Sequence, residues 1–262
     1  MSEYETVQYE MHENVALLTL NRPKRRNAMN RELNRDLLVG FERAAGDAKV
    51  RAVLVTGAGK GFCAGADLAV FESQPTGDQI YEGIVSSYQP MMKVVTTMKK
   101  PVIAAINGVA AGAGASLALA CDLRLMAHDA SLLMAFSNIA LVPDAGATWL
   151  LTRLVGYSRA YEIAIEGDRI PAERCLELGL TNKVVPAEQL MTISLAWARK
   201  LAERPTIALG LTKYAMQRAQ FQDLNSSIEL EARLQMQSVD TQDFIEGVTA
   251  FIQKREPCFT GN

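Results

Sequence analysis

Short apolar runs closed off by turn-forming residues set the rhythm of the first half of this chain, over 15–21, 51–57, 101–108, 123–127 and 131–136. Runs of this length bounded by Gly, Pro, Asn or Asp predict strands. Between them the period changes. Residues 31–45 follow Asn30, a side chain suited to capping a helix, and residues 78–98 carry Ile80, Ile84, Val85, Tyr88, Met91, Met92 and Val95 at helical spacing. Strands alternating with helices predict an α/β core.

From about Tyr157 the helical period takes over. A helix is expected over 158–166, another begins at Pro171 and stops before Gly179, and longer ones run over 187–202 and onward to Lys254. Thr181 to Val185 is the last strand expected. The pattern therefore divides into an α/β core over residues 1–200 and a helical region over 201–262. Leu224, Ile228, Leu230, Leu234 and Met236 give that region an apolar face, which suits packing within the chain and packing on a neighbour equally.

Composition narrows the class. With 262 residues, 49% hydrophobic and 21% charged, the chain reads as a soluble globular protein. A net charge of -2, with Lys24-Arg25-Arg26 as the one short basic run, argues against a nucleic-acid partner. No stretch of about 20 apolar residues predicts a membrane span, and residues 1–13 lack the apolar run of a signal peptide. Cys63, Cys121, Cys175 and Cys258 show no CxxC spacing, so neither a zinc site nor a disulfide framework is expected and a reduced, cytoplasmic setting fits.

Two glycine-rich turns invite a phosphate-binding reading and fail it. In Gly57-Ala58-Gly59-Lys60-Gly61-Phe62 no Ser or Thr follows the Lys, and Phe62 occupies the third glycine of a dinucleotide fingerprint. Gly112-Ala113-Gly114 fails the same pattern at Leu117. Ser116 is no nucleophile elbow either, because Leu117-Ala118 follows where GxSxG requires a glycine, and His12 and His128 lie in an N-terminal strand and a polar turn. What remains is a pair of tight turns, 63–67 and 109–116, and the lone carboxylate Asp144. Backbone with little side-chain bulk can aim two N–H groups at one oxygen, and a helix beginning near Ala115 would strengthen the second. Asp144 then reads either as an acid/base group or as a plain turn or cap residue.

These segments resemble the crotonase, or enoyl-CoA hydratase/isomerase, superfamily of acyl-CoA enzymes. The likeness rests on Asn21-Arg22-Pro23 with Asn27-Ala28, on 61–68, 101–122 and 141–150, on Glu166-Gly167-Asp168-Arg169-Ile170, and on the terminal 251–261, so it spans nearly the whole chain. It implies a spiral of ββα units with a C-terminal helical trimerisation region, assembled as a homotrimer or dimer of trimers. It implies an acyl-CoA thioester as substrate, with coenzyme A as part of that substrate and no other cofactor or metal. The oxyanion-hole role falls on the N–H groups of Ala66 and Ala113. Ala28, Ala64, Asp67, Leu68 and Gly112 match positions along the CoA channel, Arg25 or Arg26 a place for the CoA phosphates, and Lys254 or Arg255 a reach to a neighbouring subunit's nucleotide.

The two glutamates with which hydratase members handle water fall here on Ser116 and Phe136. Asp144 matches the aspartate of isomerase and dehalogenase members. Phe136 and Trp149 offer a wall for an aromatic or cyclic acyl group, or ordinary core. Within the family, 107–115 with Ala135-Phe136-Ser137, Pro143-Asp144 and 148–151 are most similar to ring-1,2-epoxyphenylacetyl-CoA isomerases. Isomerisation is thus expected ahead of hydration or of CoA-ester binding without catalysis.

Overall fold

A computed structural model describes residues 5–71 and 75–262. It opens with an antiparallel pair, β1 (Val7–His12) and β2 (Val15–Leu20), followed by helix α1 (Arg31–Gly46). Asn30 caps α1, its side chain accepting from the Leu33 N–H at 3.0 Å. Then comes a repeated unit. Strand β3 (Ala52–Gly57) leads into β4 (Gly61–Cys63), β5 (Val102–Ile106) into β6 (Val109–Ala111), and β7 (Leu123–Ala127) into β8 (Ser131–Leu133).

In each unit the first strand joins one sheet and the second joins another. The large sheet runs β1-β2-β3-β5-β7 and the small one β4-β6-β8, with β3, β5 and β7 mutually parallel and β4, β6 and β8 likewise. The chain therefore climbs as a spiral. Every residue of β3 and β5 is buried, as parallel strands covered on both faces require. One consequence positions the site: the segments leaving β4, β6 and β8 emerge side by side at the carboxyl ends of three adjacent parallel strands.

The connecting elements are α2 (Gly77–Gly83) and α3 (Gln89–Thr97) after β4, α4 (Ala113–Ala120) after β6, and α5 (Ala147–Val155) and α6 (Tyr157–Glu166) after β8. Strand β9 (Arg169–Pro171) closes the small sheet antiparallel to β8, α7 (Ala172–Glu177) follows, and β10 (Lys183–Val185) completes the large sheet beside β7. Helix α8 (Leu190–Ala202) packs across β2, β3, β5 and β7. The rest is helical: α9 (Thr206–Ala219), α10 (Leu224–Val239) and α11 (Gln242–Gln253).

Three expectations need correction. The helix expected over 78–98 is broken by a π-helical turn, Ile84–Tyr88. Pro90 lacks the N–H that would continue the ladder, and the wider turn absorbs the loss. The helix expected over 187–202 starts at Leu190 after a 3-10 turn, Ala187–Gln189. The helix placed near Ala115 starts two residues earlier, at Ala113. Strands β4, β6 and β9, three residues each, carry too little pattern to register in the sequence.

The C-terminal tail is tied back firmly. The Asp243 carboxylate accepts from the N–H groups of Thr260 (2.7 Å) and Gly261 (2.9 Å), and Arg51 donates to the carbonyls of Phe259 and Arg204. Among the described residues no helix is long and apolar enough to cross a membrane.

Candidate functional site

The first of the three segments is the turn after β4. Its N–H groups are almost all engaged: Ala64 donates to the Arg26 carbonyl (3.0 Å), Gly65 faces the Cys63 sulfur, and Asp67 donates to the Met29 carbonyl (2.9 Å). Among the described residues the Ala66 N–H is the exception in this run, bracketed by the bridge between Met29 and Ala66. A Cβ on Gly65, whose φ is +90°, would stand 2.8 Å from the Ala111 carbonyl and 3.6 Å from the Ala113 nitrogen. Only a glycine lets the first turn lie this close to the second.

The second segment joins β6 to α4. Gly112 takes φ +49° and ψ -126°, a conformation closed to other residues, and so turns the chain sharply into the helix. Its own N–H donates to the Leu133 carbonyl (2.9 Å) on β8. Ala113 is the first helical residue, so its N–H has no partner inside α4 and carries the positive end of the helix dipole. The Phe136 ring lies against Gly112, 3.8 Å from where a Cβ would be.

The third segment carries Asp144. Its carbonyl accepts from the Ala147 N–H (2.9 Å) and from the Ser116 hydroxyl (3.2 Å), and the backbone then passes through two left-handed residues, Ala145 (φ +50°) and Gly146 (φ +81°), into α5. A non-glycine residue there costs about 1 kcal/mol or more. The carboxylate itself is spare. Gly146 is the cap of α5 and has no side chain to contribute, while the Asp144 Oδ1 is buried without a hydrogen-bond partner. Burial pushes the Asp144 pKa up to about 6. Asp144 thus opens a turn through its carbonyl, while its side chain caps no helix.

Ser116 is fully buried, its hydroxyl shared between the carbonyls of Gly112 and Asp144. It braces the loop and is not free to hold a water. Cys63 is buried too, its thiol donating to the Asn27 carbonyl and its pKa pushed up to about 12, so it is inert as a nucleophile.

The other expected residues spread out. Ala28 is buried, Ala64 and Leu68 are exposed, and Arg25 and Arg26 are exposed at the end of the short 3-10 turn Pro23–Arg25. Asp67 is paired with Arg22 at 2.9 Å. Trp149 is 42% exposed, and the Arg153 guanidinium lies over its ring at 3.9 Å and over the Phe221 ring at 4.8 Å. Lys254, at the surface, ends α11 in a left-handed conformation, whereas Arg255 is committed to Glu246 at 2.7 Å.

Sequence reasoning missed two residues. Tyr88 ends the π-helical turn, and its buried phenol stands in the electrostatic field of Asp144 and Cys63 with Asn34 as its hydrogen-bonding neighbour. Burial, then the Asp144 charge, raise its pKa, so it stays protonated. Pro90 inside a helical pattern was the available signal. The second is Arg22, which also donates to the Ala28 carbonyl. Two hollows of about 400 Å³ each lie away from this cluster, one lined by Phe244, Val248, Phe251 and Phe259, the other by Arg51, Arg199 and Cys258.

With that geometry in place, comparison with known proteins is informative. The enoyl-CoA hydratase/isomerase family model matches residues 10–262. A 1,2-epoxyphenylacetyl-CoA isomerase from Escherichia coli (strain K12) is 42% identical over 94% of this chain and 95% of its own. A probable enoyl-CoA hydratase from Rhodobacter capsulatus is 40% identical over 98% of this chain and 99% of its own. Among solved structures, enoyl-CoA hydratase from Bacillus anthracis superposes with a TM-score of 0.93 at 35% identity, covering 98% of this chain and all (100%) of that one.

Proposed function

This chain belongs to the enoyl-CoA hydratase/isomerase family, and within it we propose an acyl-CoA isomerase in which one carboxylate, Asp144, moves a proton along the acyl chain. The observation that carries this reading is the Asp144 side chain: half-buried, with a buried Oδ1 that has no hydrogen-bond partner, and raised to about 6, it is poised to be a base that gives its proton back near neutral pH. The N–H groups of Ala66 and Ala113 hold the thioester oxygen. As Asp144 takes a proton from C2 of a β,γ-unsaturated acyl group, the electron pair shifts onto that oxygen; reprotonation at C4 from the same carboxyl leaves the α,β-unsaturated ester. No water, metal or further cofactor takes part. Ring expansion of a ring-epoxidised arylacetyl-CoA draws on the same pair of donors and the same aspartate, and Phe136 at the Gly112 turn supplies an aromatic neighbour for it.

Hydration needs a second group to hold water. Ser116 is braced on two carbonyls and Phe136 is apolar, so neither serves. Arg25, Arg26 and Lys254 meet the CoA phosphates, and Ala28, Ala64, Asp67, Leu68 and Gly112 border the channel. The exposed apolar residues of α10 and α11 join copies into a trimer or dimer of trimers.

Asp144→Asn decides the matter. The variant should bind a CoA thioester with unchanged affinity and lose turnover of a 3-enoyl-CoA to the 2-enoyl isomer by at least 100-fold, because the amide cannot carry the proton. Undiminished turnover, or hydration of crotonyl-CoA by the wild type as fast as isomerisation, would overturn it.

A further inference from the structure

We propose that Arg22 is a positioning residue for the Ala66 donor: paired with Asp67, it fixes the turn that aims this N–H. The inference rests on the oxyanion reading above. Its basis is a largely buried polar network in the segment 21–29. The Arg22 Nη2 meets the Asp67 Oδ2 at 2.9 Å with side-chain exposures of 18% and 13%, and its Nη1 donates to the Ala28 carbonyl. Its backbone N–H donates to the Asn27 Oδ1 (2.9 Å), and Asn27, fully buried, donates in turn to the carbonyls of Ala58, Gly61 and Phe62.

One guanidinium therefore ties the turn, at Asp67, to the segment that pairs with it, at the Ala28 carbonyl. Ala28 precedes Met29, whose N–H and carbonyl hold Gly65 and Asp67, and Asp67 directly follows Ala66. The peptide bearing the Ala66 N–H is clamped between two fixed points. A planar fork is needed for that, since a lysine ammonium reaches one partner as a point charge and leaves the other. An oxyanion donor displaced by a fraction of an ångström loses much of its effect in the transition state while ground-state binding is spared.

The test measures carbonyl polarisation directly. Cinnamoyl-CoA is bound to the wild-type protein and to Arg22→Lys and Asp67→Asn, and its absorbance band, Kd, isomerase kcat and KM, and thermal midpoint are recorded. Donors aimed at the carbonyl oxygen shift the band to the red. Arg22→Lys should bind within about threefold of wild type with KM little changed, both variants should lose half or more of the red shift and lose kcat at least tenfold, and the double variant should lose no more red shift or kcat than either, since both residues act through one turn. A full red shift and full kcat in Arg22→Lys would overturn the proposal alone. Absence of any red shift in the wild type would remove the oxyanion reading beneath it. If the single variants do not fold, the neutral pair Arg22→Gln with Asp67→Asn, which buries no lone charge, is decided by the same two readouts.

Discussion

At Asp144 the cost of burial and the demands of the proposed proton transfer coincide. The folded chain holds the Asp144 proton to about pH 6, whereas an unfolded aspartate releases it near 4. The folded state therefore binds more protons between those values, so this group's contribution falls as pH rises through 4 to 6 and stays unfavourable above. After screening at a partly exposed site the penalty is about 1–2 kcal/mol. Asp144→Asn, inactive, should consequently melt a few degrees above wild type at pH 8, and the gap should narrow as pH falls below about 6 and close only below about 3.5; a gap that does not change with pH would refute the assignment. The wild-type kcat/KM profile should bend downward on the acid side with an apparent pKa of about 6. Asp144 was legible in the sequence as a candidate because it stood alone among small residues. That its side chain has no structural task was not, because the competing cap role is filled by Gly146 and only the folded backbone reveals it. The same limit hid Arg22: Asn21-Arg22-Pro23 carries part of the family resemblance, but nothing in it gives Arg22 a role until the partner 45 positions away is seen.

Elements repeat the lesson at larger scale. The strands with long apolar runs, β2, β3, β5 and β7, and the capped helix α1 follow directly from periodicity, within a residue or two. Strands β4 and β6 do not, yet the turns that follow them carry the two proposed backbone donors; three residues each are held by pairing across the small sheet rather than by their own pattern. The π-helical turn was hidden for a different reason, since Ile80 before it and Met91 after it both fit the helical spacing and only Pro90 betrays the break. Helix α4 gives a direct test of how much the donor geometry depends on its entry. A Cβ on Gly112 meets nothing closer than the Phe136 ring at 3.8 Å, so Gly112→Ala carries no steric clash and isolates the backbone strain. The expected loss is about 1–3 kcal/mol in urea unfolding, with kcat reduced and the acid-side pKa unmoved, because Asp144 sits on another segment. A shift of that pKa would mean that the two turns are not independent.

The whole molecule explains why one site draws on three distant stretches of chain. Each turn of the spiral adds one strand to the small sheet, and Ala66, Ala113 and Asp144 each lie beyond the end of a different one, β4, β6 and β8. The scaffold thus sets the proposed donors and base in register through adjacent parallel strands. The helices after α8 contribute little to that frame: Leu234 and Ala250 are their buried apolar side chains among the described residues, while Phe251 and Ile252 on α11 are 85% and 73% exposed. An apolar surface this open is expected to be covered. Because neither side chain supports the core of its own chain, Phe251→Glu with Ile252→Lys should leave the monomer folded and disperse the assembly, reducing the mass seen by light scattering from three or six copies to one. Lys254 lies just beyond on the same helix end. If it serves the CoA of a neighbouring copy, the dispersed variant should show a raised KM for the CoA ester with kcat retained, since the donors and Asp144 lie within a single chain; a wild-type monomer, or loss of kcat at unchanged KM, would refute that arrangement.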